Sequence, residues 1–383
     1  MTHSKTVRIG DTPLEVPLGV APMAGMTDSA FRRLVKRQGG CGLVVTEMVS
    51  SEGLVRGIDR TLEYAEYTVE ERPVSIQIFG GDPEKMAEAA RIVEGMGADI
   101  VDINMGCPVP KIAKHHAGCS LMREPEHAAA VVAAMAKAVK IPVTVKMRAG
   151  WNDSTRNAPV LARMVEEAGA SAVTVHGRTA AQSYSGVADW DLVADVASRL
   201  TIPVFGSGDC VTPEQILEKL GAGVEGVLVG RGVLRNPWIL AQAADLAAGR
   251  QPRVVTLEQR GQFLLDYIEL LLNERVREPE GFRRTAPGAA ERSESPARIG
   301  HERWVVNKIR ALGGYYTKGI EGGAELRAGL NTAGSLEHLR ELIQQFFLMQ
   351  AAAHAQVPGD AAEQHENLQL EGIHDPVYRQ ESV

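Results

Sequence analysis

Between residues 16 and about 240, short apolar runs alternate with stretches whose apolar positions recur at helical spacing. Runs at 18–22, 43–47, 74–79, 100–104, 143–147, 172–176, 204–206 and 226–230 predict eight strands, short and apolar enough to be buried on both faces. Between them, 82–96, 126–139, 156–168, 190–200 and 213–220 predict helices. Thr27 before Asp28, Asp82 before Pro83 and Thr212 before Pro213 suit N-caps, each followed by an acidic or proline first turn. Eight β–α units in this span predict an α/β fold, a (β/α)8 TIM barrel, over a doubly wound sheet, which seldom strings together so many short-loop units.

Helical patterns return at 255–276 and 302–350. The expected organisation is therefore a barrel over 1–245 and a smaller C-terminal helical domain over 255–350. Within the latter, 278–300 has no apolar period and is expected to be a flexible insertion. The tail, 351–383, holds six acids against one base, which is −5 of the chain's −7, and is expected to be disordered. The first 350 residues are thus almost neutral, which leaves room for local basic surfaces.

Composition narrows the class further. Hydrophobic residues at 44% and charged residues at 23% are ordinary globular values and exclude wholesale disorder. The four cysteines, Cys41, Cys107, Cys119 and Cys210, lie 66, 12 and 91 positions apart, which is neither a disulfide framework nor a zinc or iron–sulfur spacing. No run approaches membrane-spanning length and the first residues lack a signal-peptide core, so a cytoplasmic location without membrane contact is expected. No Asp, Glu or His cluster has metal-ligand spacing, and no Ser-His-Asp set stands out.

The chemistry-bearing residues gather at the carboxyl ends of the predicted strands. Met23, Glu47, Gln77, Asn104, Lys146, His176 and Ser207 all fall there, on the face where barrel active sites are built. Cys107 stands between Gly106 and Pro108 just past the fourth strand, where a thiol can exchange a proton, attack a substrate or bind a metal. Cys119 reads as a packing residue, and Cys41 and Cys210 as structural ones. Lys146 emerges from a buried strand and needs a polar or anionic ligand to justify its desolvation. Arg148 suits a substrate contact and a rim charge equally. Glycines at 206–208 and 230–232, after strands seven and eight, suit a phosphate-bearing ligand, with Arg231 adding charge. In the helical domain, 303–318 carries Arg303, Lys308, Arg310 and Lys318 with no acid and with aromatics interleaved. That pattern fits either a solvated helix face or a phosphate-backbone contact.

Six motifs in order resemble the flavin-dependent tRNA-dihydrouridine synthases, especially the bacterial B-type branch. They are Ala21-Pro-Met-Ala-Gly-Met-Thr-Asp28, Ser75-Ile-Gln-Ile-Phe-Gly80, Asp102-Ile-Asn-Met-Gly-Cys-Pro108, Val145-Lys-Met-Arg148, Val175-His-Gly-Arg178 and Val229-Gly-Arg-Gly232. The resemblance spans about 16–350. It implies that Pro22, Met23 and Ala24 touch the flavin of FMN, that Gln77 and Lys146 bond its ring, and that His176 lies beside it. Ser207, Gly208, Asp209, Gly230 and Arg231 would hold the ribityl phosphate, although the family usually has Asn where Ser207 stands. Asn104 would contact the uracil, with Arg148 and Arg178 as further substrate contacts, and Cys107 would donate the proton. NADPH would be the reductant, and Arg303, Lys308 and Arg310 would face tRNA. A monomer is expected. The alternatives are an FMN-dependent dihydropyrimidine or dihydroorotate oxidoreductase acting on a free base, and a non-catalytic RNA-binding protein.

Overall fold

The computed structural model describes residues 6–113, 116–273, 283–284 and 298–349. Eight parallel strands follow one another in space as in sequence: β1 (Leu18–Val20), β2 (Leu43–Val45), β3 (Val74–Phe79), β4 (Ile100–Met105), β5 (Val143–Arg148), β6 (Ala172–His176), β7 (Val204–Ser207) and β8 (Gly226–Val229). β8 pairs with β1, and β2 pairs with both β1 and β3, so the sheet closes on itself. This is the expected (β/α)8 barrel.

Alternation decides what each strand shows. Along β4, Val101, Ile103 and Met105 join the outer core shared with the helices, whereas Ile100 joins the barrel interior. Asp102 and Asn104 share its inward parity. The outer layer contains α1 (Ser29–Gln38), α2 (Pro83–Gly95), α3 (Pro125–Ala138), α4 (Ala158–Glu167), α5 (Trp190–Arg199), α6 (Pro213–Leu220) and α7 (Ile239–Ala247). Two caps follow the sequence pattern. Asp82 accepts from the amides of Glu84 and Lys85, and Thr212 forms a reciprocal capping box with Gln215. The first cap is shifted by one residue. Asp28, not Thr27, caps α1 by accepting from Phe31 N, because Thr27 is engaged with the backbone of Met23.

A hairpin, Val7–Ile9 with Thr12–Leu14, lies outside the predicted barrel elements. Its Ile9 and Leu14 cluster with Leu43, Ile100, Ala172, Phe205 and Leu228, so the hairpin plugs the amino-terminal end of the barrel.

The helical domain comprises α8 (Leu257–Asn273), α9 (Arg298–Tyr316), α10 (Gly323–Thr332) and α11 (Leu336–Ile343), which runs on as a π-helical turn at Gln344–Met349. Phe263 and Tyr267 of α8 make edge contacts with Phe31 of α1, and Phe263 also packs on Trp238 and Tyr316. These aromatic contacts seat the domain beside the first βα unit. Most of 278–300, read as a flexible insertion, lies outside the described residues. Within it, Arg283–Arg284 pairs antiparallel with Tyr67–Thr68, and α9 already begins at Arg298. The acidic tail, 351–383, also lies outside them. Among the described residues no helix is long and apolar enough to cross a membrane.

One buried ion pair anchors α1 to the barrel. Arg32 donates to Glu71 at 2.6 Å, and its remaining donors reach the carbonyls of Thr27 and Glu66. Glu71 also accepts from Ser29 Oγ and Thr68 N. Removing Glu71 strands a guanidinium in the core. Glu71→Leu is expected to cost about 3–5 kcal/mol in urea unfolding, against about 1 kcal/mol or less for Arg37→Ala in the exposed Arg37–Glu70 pair.

Candidate active site

The carboxyl ends of the strands deliver the polar residues to one mouth. In register, Gln77 stands beside Asp102, Asn104 beside Lys146, Arg148 beside His176, and His176 beside Ser207.

A chain of hydrogen bonds runs through this layer from Asp102, a residue quoted above only as part of a motif. Asp102 is 4% exposed. Its Oδ1 accepts from Thr144 Oγ1 at 2.6 Å and its Oδ2 from Gln77 Nε2 at 2.7 Å. With its NH2 given to Asp102, Gln77 turns its Oε1 outward. Oε1 then accepts from Asn104 Nδ2 at 2.7 Å. Asn104 in turn presents Oδ1 to the amides of Cys107, at 2.9 Å, and Gly106, at 3.1 Å. The buried carboxylate therefore sets two amide orientations and, through them, the start of the cysteine loop. Burial pushes the Asp102 carboxyl up, while Thr144, Gln77 and Lys146 act to hold it down. An acid in the middle of a buried strand was the sequence signal that it has a task.

Cys107 is half-buried, and its carbonyl accepts from Cys119 N at 3.1 Å. Desolvation pushes its thiol up from the ordinary value, outweighing a backbone hydrogen bond from Val109 and the nearby Arg148 charge. The thiol thus keeps its proton at neutral pH, which suits an acid better than a nucleophile. Burial raises Cys119 and Cys41 to about 11 and Cys210 to about 12. Their thiolates are thereby suppressed.

Lys146 makes no side-chain hydrogen bond or ion pair among the described residues. Burial, reinforced by Arg148, lowers its ammonium to about 8 against the opposing pull of Asp102. His176 is held neutral, its pKa well below the usual value, by burial and then by the cations Lys146, Arg148, Arg178 and Arg231. Its Nδ1 is buried without a hydrogen-bond partner. A Cβ at Gly208 would lie 2.7 Å from Ala188 Cβ and 3.3 Å from His176 Nε2, and φ there is +119°, so only glycine lets the seventh loop pass this close.

The arginines have partners of different kinds. Arg148 is buried and donates to the carbonyls of Gly106, Thr179 and Ser183. Arg178 donates to the carbonyls of Ser185 and Gly186 and pairs with Asp209 at 2.7 Å. Asp209 also accepts from Ala188 N, so its carboxylate organises the sixth and seventh loops. Together these bonds fold 179–188 over the mouth and leave Tyr184 51% exposed. Arg231 lies 4.8 Å from the Tyr184 ring and Arg148 lies 5.7 Å from it. Nothing in the local sequence around Tyr184 marked it; the loop fold does.

The first loop completes the rim. Pro22 and Met23 are half-buried and Ala24 is exposed, while a Cβ at Gly230 would lie 3.6 Å from Met23 Sδ. Of the three bases assigned to a polyanion in the helical domain, Arg303 is exposed on α9. Arg310 instead donates to Leu330 O and Ala333 O at the end of α10, and Lys308 reaches into the barrel. No group of three or more His, Cys, Asp or Glu suited to a metal ion occurs among the described residues.

Residues 19–299 match the family model described as dihydrouridine synthase. The chain belongs to the dihydrouridine synthase family. A probable tRNA-dihydrouridine synthase of Rickettsia conorii is 35% identical over 344 residues, covering 89% of this chain and 96% of that one. One of Rhizobium leguminosarum bv. phaseoli is 44% identical over 238 residues, covering 61% and 73%. The tRNA-dihydrouridine synthase B of Xanthomonas campestris pv. campestris is 39% identical over 267 residues, covering 69% and 80%. The family model spans every barrel strand from Gly19 onward, so the hydrogen-bond chain from Asp102 to Cys107 lies wholly within it.

The role of Asp102 is open to a direct check. Asp102→Leu leaves the Gln77 amide and the Thr144 hydroxyl without this partner and is expected to cost about 3 kcal/mol or more in urea unfolding. Asp102→Asn can still accept from Gln77 and donate to Thr144, so about 1.5 kcal/mol or less is expected.

Proposed function

We propose that the protein is a tRNA-dihydrouridine synthase that reduces the C5=C6 bond of a uridine in tRNA, with FMN as resident cofactor and NADPH as reductant. The observation that carries this reading is the meeting, at one barrel mouth, of a protonated thiol, an unpaired lysine and an oriented pair of amides in a chain of this family.

The mouth fits a flavin by its own chemistry. His176 Nδ1 is a buried polar atom without a partner, and Lys146 is a desolvated cation without one. Pro22, Met23 and Ala24 offer an apolar wall, and Gln77 a remaining amide donor. Ser207, Gly208, Asp209, Gly230 and Arg231, in the seventh and eighth loops, would hold the FMN phosphate group. Bound there, FMN would supply two-electron hydride chemistry.

The chain's own residues do the rest. Asn104 positions the uracil edge. The exposed ring of Tyr184, braced by Arg148 and Arg231, offers a stacking surface for a base that has left its helix. Cys107 holds a proton on Sγ and gives it to C5, which balances the hydride with one proton. The Lys146 ammonium stabilises negative charge developing on the ring beside it. Arg303 and Trp304 are exposed on α9, with Trp304 stacked on His301 at 5.4 Å, and they fit a phosphate-backbone contact. A free-base oxidoreductase would have no use for this surface.

The first test is substitution of the thiol. Cys107→Ala is expected to keep the yellow flavin spectrum while dihydrouridine in tRNA, measured by mass spectrometry, falls at least about a hundredfold; unimpaired turnover removes Cys107 from the mechanism. Activity on orotate or uracil but not on tRNA would move the protein to the free-base class.

A second test is pH. The Lys146 charge is present below a pKa of about 8 and lost above it, whereas the Cys107 proton persists beyond the ordinary thiol value. An anionic ligand beside Lys146 moves its titration upward. Reduction of tRNA by the pre-reduced enzyme is therefore expected to decline only above about pH 8. A stopped-flow profile that already falls between about pH 6 and pH 8 overturns this reading, because Lys146 is charged and Cys107 protonated throughout that window.

A further inference from the structure

Lys308 belongs to α9 of the helical domain, yet its ammonium lies among barrel groups. It donates to Gly25 O at 2.9 Å, pairs with Asp28 Oδ2 at 2.9 Å and lies 3.6 Å from Glu47 Oε1. The three side chains are only 12%, 9% and 5% exposed. The same glycine is gripped from its other side, since Gly25 N donates to Glu47 Oε2 at 2.5 Å. Tyr267 of α8 adds a hydrogen bond to Asp28 Oδ2 at 2.7 Å. One ammonium therefore sits between two buried carboxylates, and both polar atoms of the Gly25 backbone are held by the cluster.

The clamp acts on a short, stiff segment. Met26 N and Thr27 N both donate to Met23 O, and Thr27 Oγ1 accepts from Met23 N, so 23–27 is a closed turn. A displacement of Gly25 must pass to Met23, and Met23 lies against Gly230 of the eighth loop. Gly25 has φ +79° and is exposed, so little besides the clamp holds it.

We propose that Lys308 is a positioning residue for the cofactor loop, through which the helical domain sets the conformation of Pro22–Ala24. The part of this inference that concerns FMN rests on the functional reading above. Two rival roles exist for the same lysine. One is a phosphate contact, as its basic stretch suggests. The other is a plain ion pair that joins the two domains without shaping the loop.

Lys308→Met in the full-length protein separates them. Hydrogen–deuterium exchange of peptides covering 21–28, measured without flavin, is expected to rise roughly tenfold. FMN affinity of the apoprotein, read by quenching of flavin fluorescence, is expected to fall roughly tenfold through loss of a preorganised wall. The kcat is expected to fall with it, while the KM for tRNA and its salt dependence stay within about twofold. Unchanged exchange over 21–28 overturns the proposal, as does a raised tRNA KM with a shallower salt slope and normal FMN affinity. If Lys308→Met does not fold, Glu47→Gln replaces it from the barrel side. Roughly threefold faster exchange over 21–28 and weaker FMN binding are then expected, and unchanged values for both overturn the proposal. A wild-type protein that binds no FMN refutes the functional reading alone, because the exchange measurement still judges the clamp.

Discussion

A carboxylate in the middle of a packed barrel must be met by donors, and that demand organises this molecule. Asp102 satisfies it with Thr144 and Gln77. Since Gln77 turns its NH2 to Asp102 Oδ2, the polarity of every later link follows from this one contact. Gln77 can only point its carbonyl at Asn104, and Asn104 can only turn its own carbonyl towards the Cys107 amide. The Cys107 thiol is thus placed by backbone capture at a strand end, which leaves its sulfur free of competing bonds to Asn104.

Around this chain the mouth is cationic. Burial first, and then the cations Lys146, Arg148, Arg178 and Arg231, keep His176 neutral. Their roles differ because their partners differ. Arg148 and Arg178 are bound to loop carbonyls and act as struts, shaping 179–188 and presenting Tyr184. Lys146 has no such engagement and keeps its charge available to a ligand. Without partners to distinguish them, four basic residues near strand ends would all have looked like ligand contacts.

The helical domain is joined to the barrel at the same mouth. Its aromatic residues pack on α1, and its Lys308 reaches the turn that follows Met23. The helical domain is thereby continuous with the loop beside the proposed cofactor. The two domains share a buried cluster of charges in which removal of one partner leaves the others uncompensated.

The eight strands, most helices and two of the three caps were legible in the sequence. Buried parallel strands are uniformly apolar, and proline and acidic first turns mark helix starts. The strand-end position of Gln77, Asn104, Lys146 and His176 was legible for the same reason, since period-two alternation is local. The plugging hairpin was not, because Val7, Ile9 and Leu14 are too few to carry a period and acquire their role only when the barrel's end needs covering. Nor were the separate fates of Lys308, Arg310 and Arg303 on one basic helix. Their spacing is similar, but one meets two carboxylates, one meets the end of a neighbouring helix and one meets solvent. The sequence by itself determined the barrel, its chemical face and the family, because these depend on short-range pattern and motif. Only the tertiary structure decided which charges are struts, which are free and which join the domains, because a charge's role is set by the partners that distant segments bring to it.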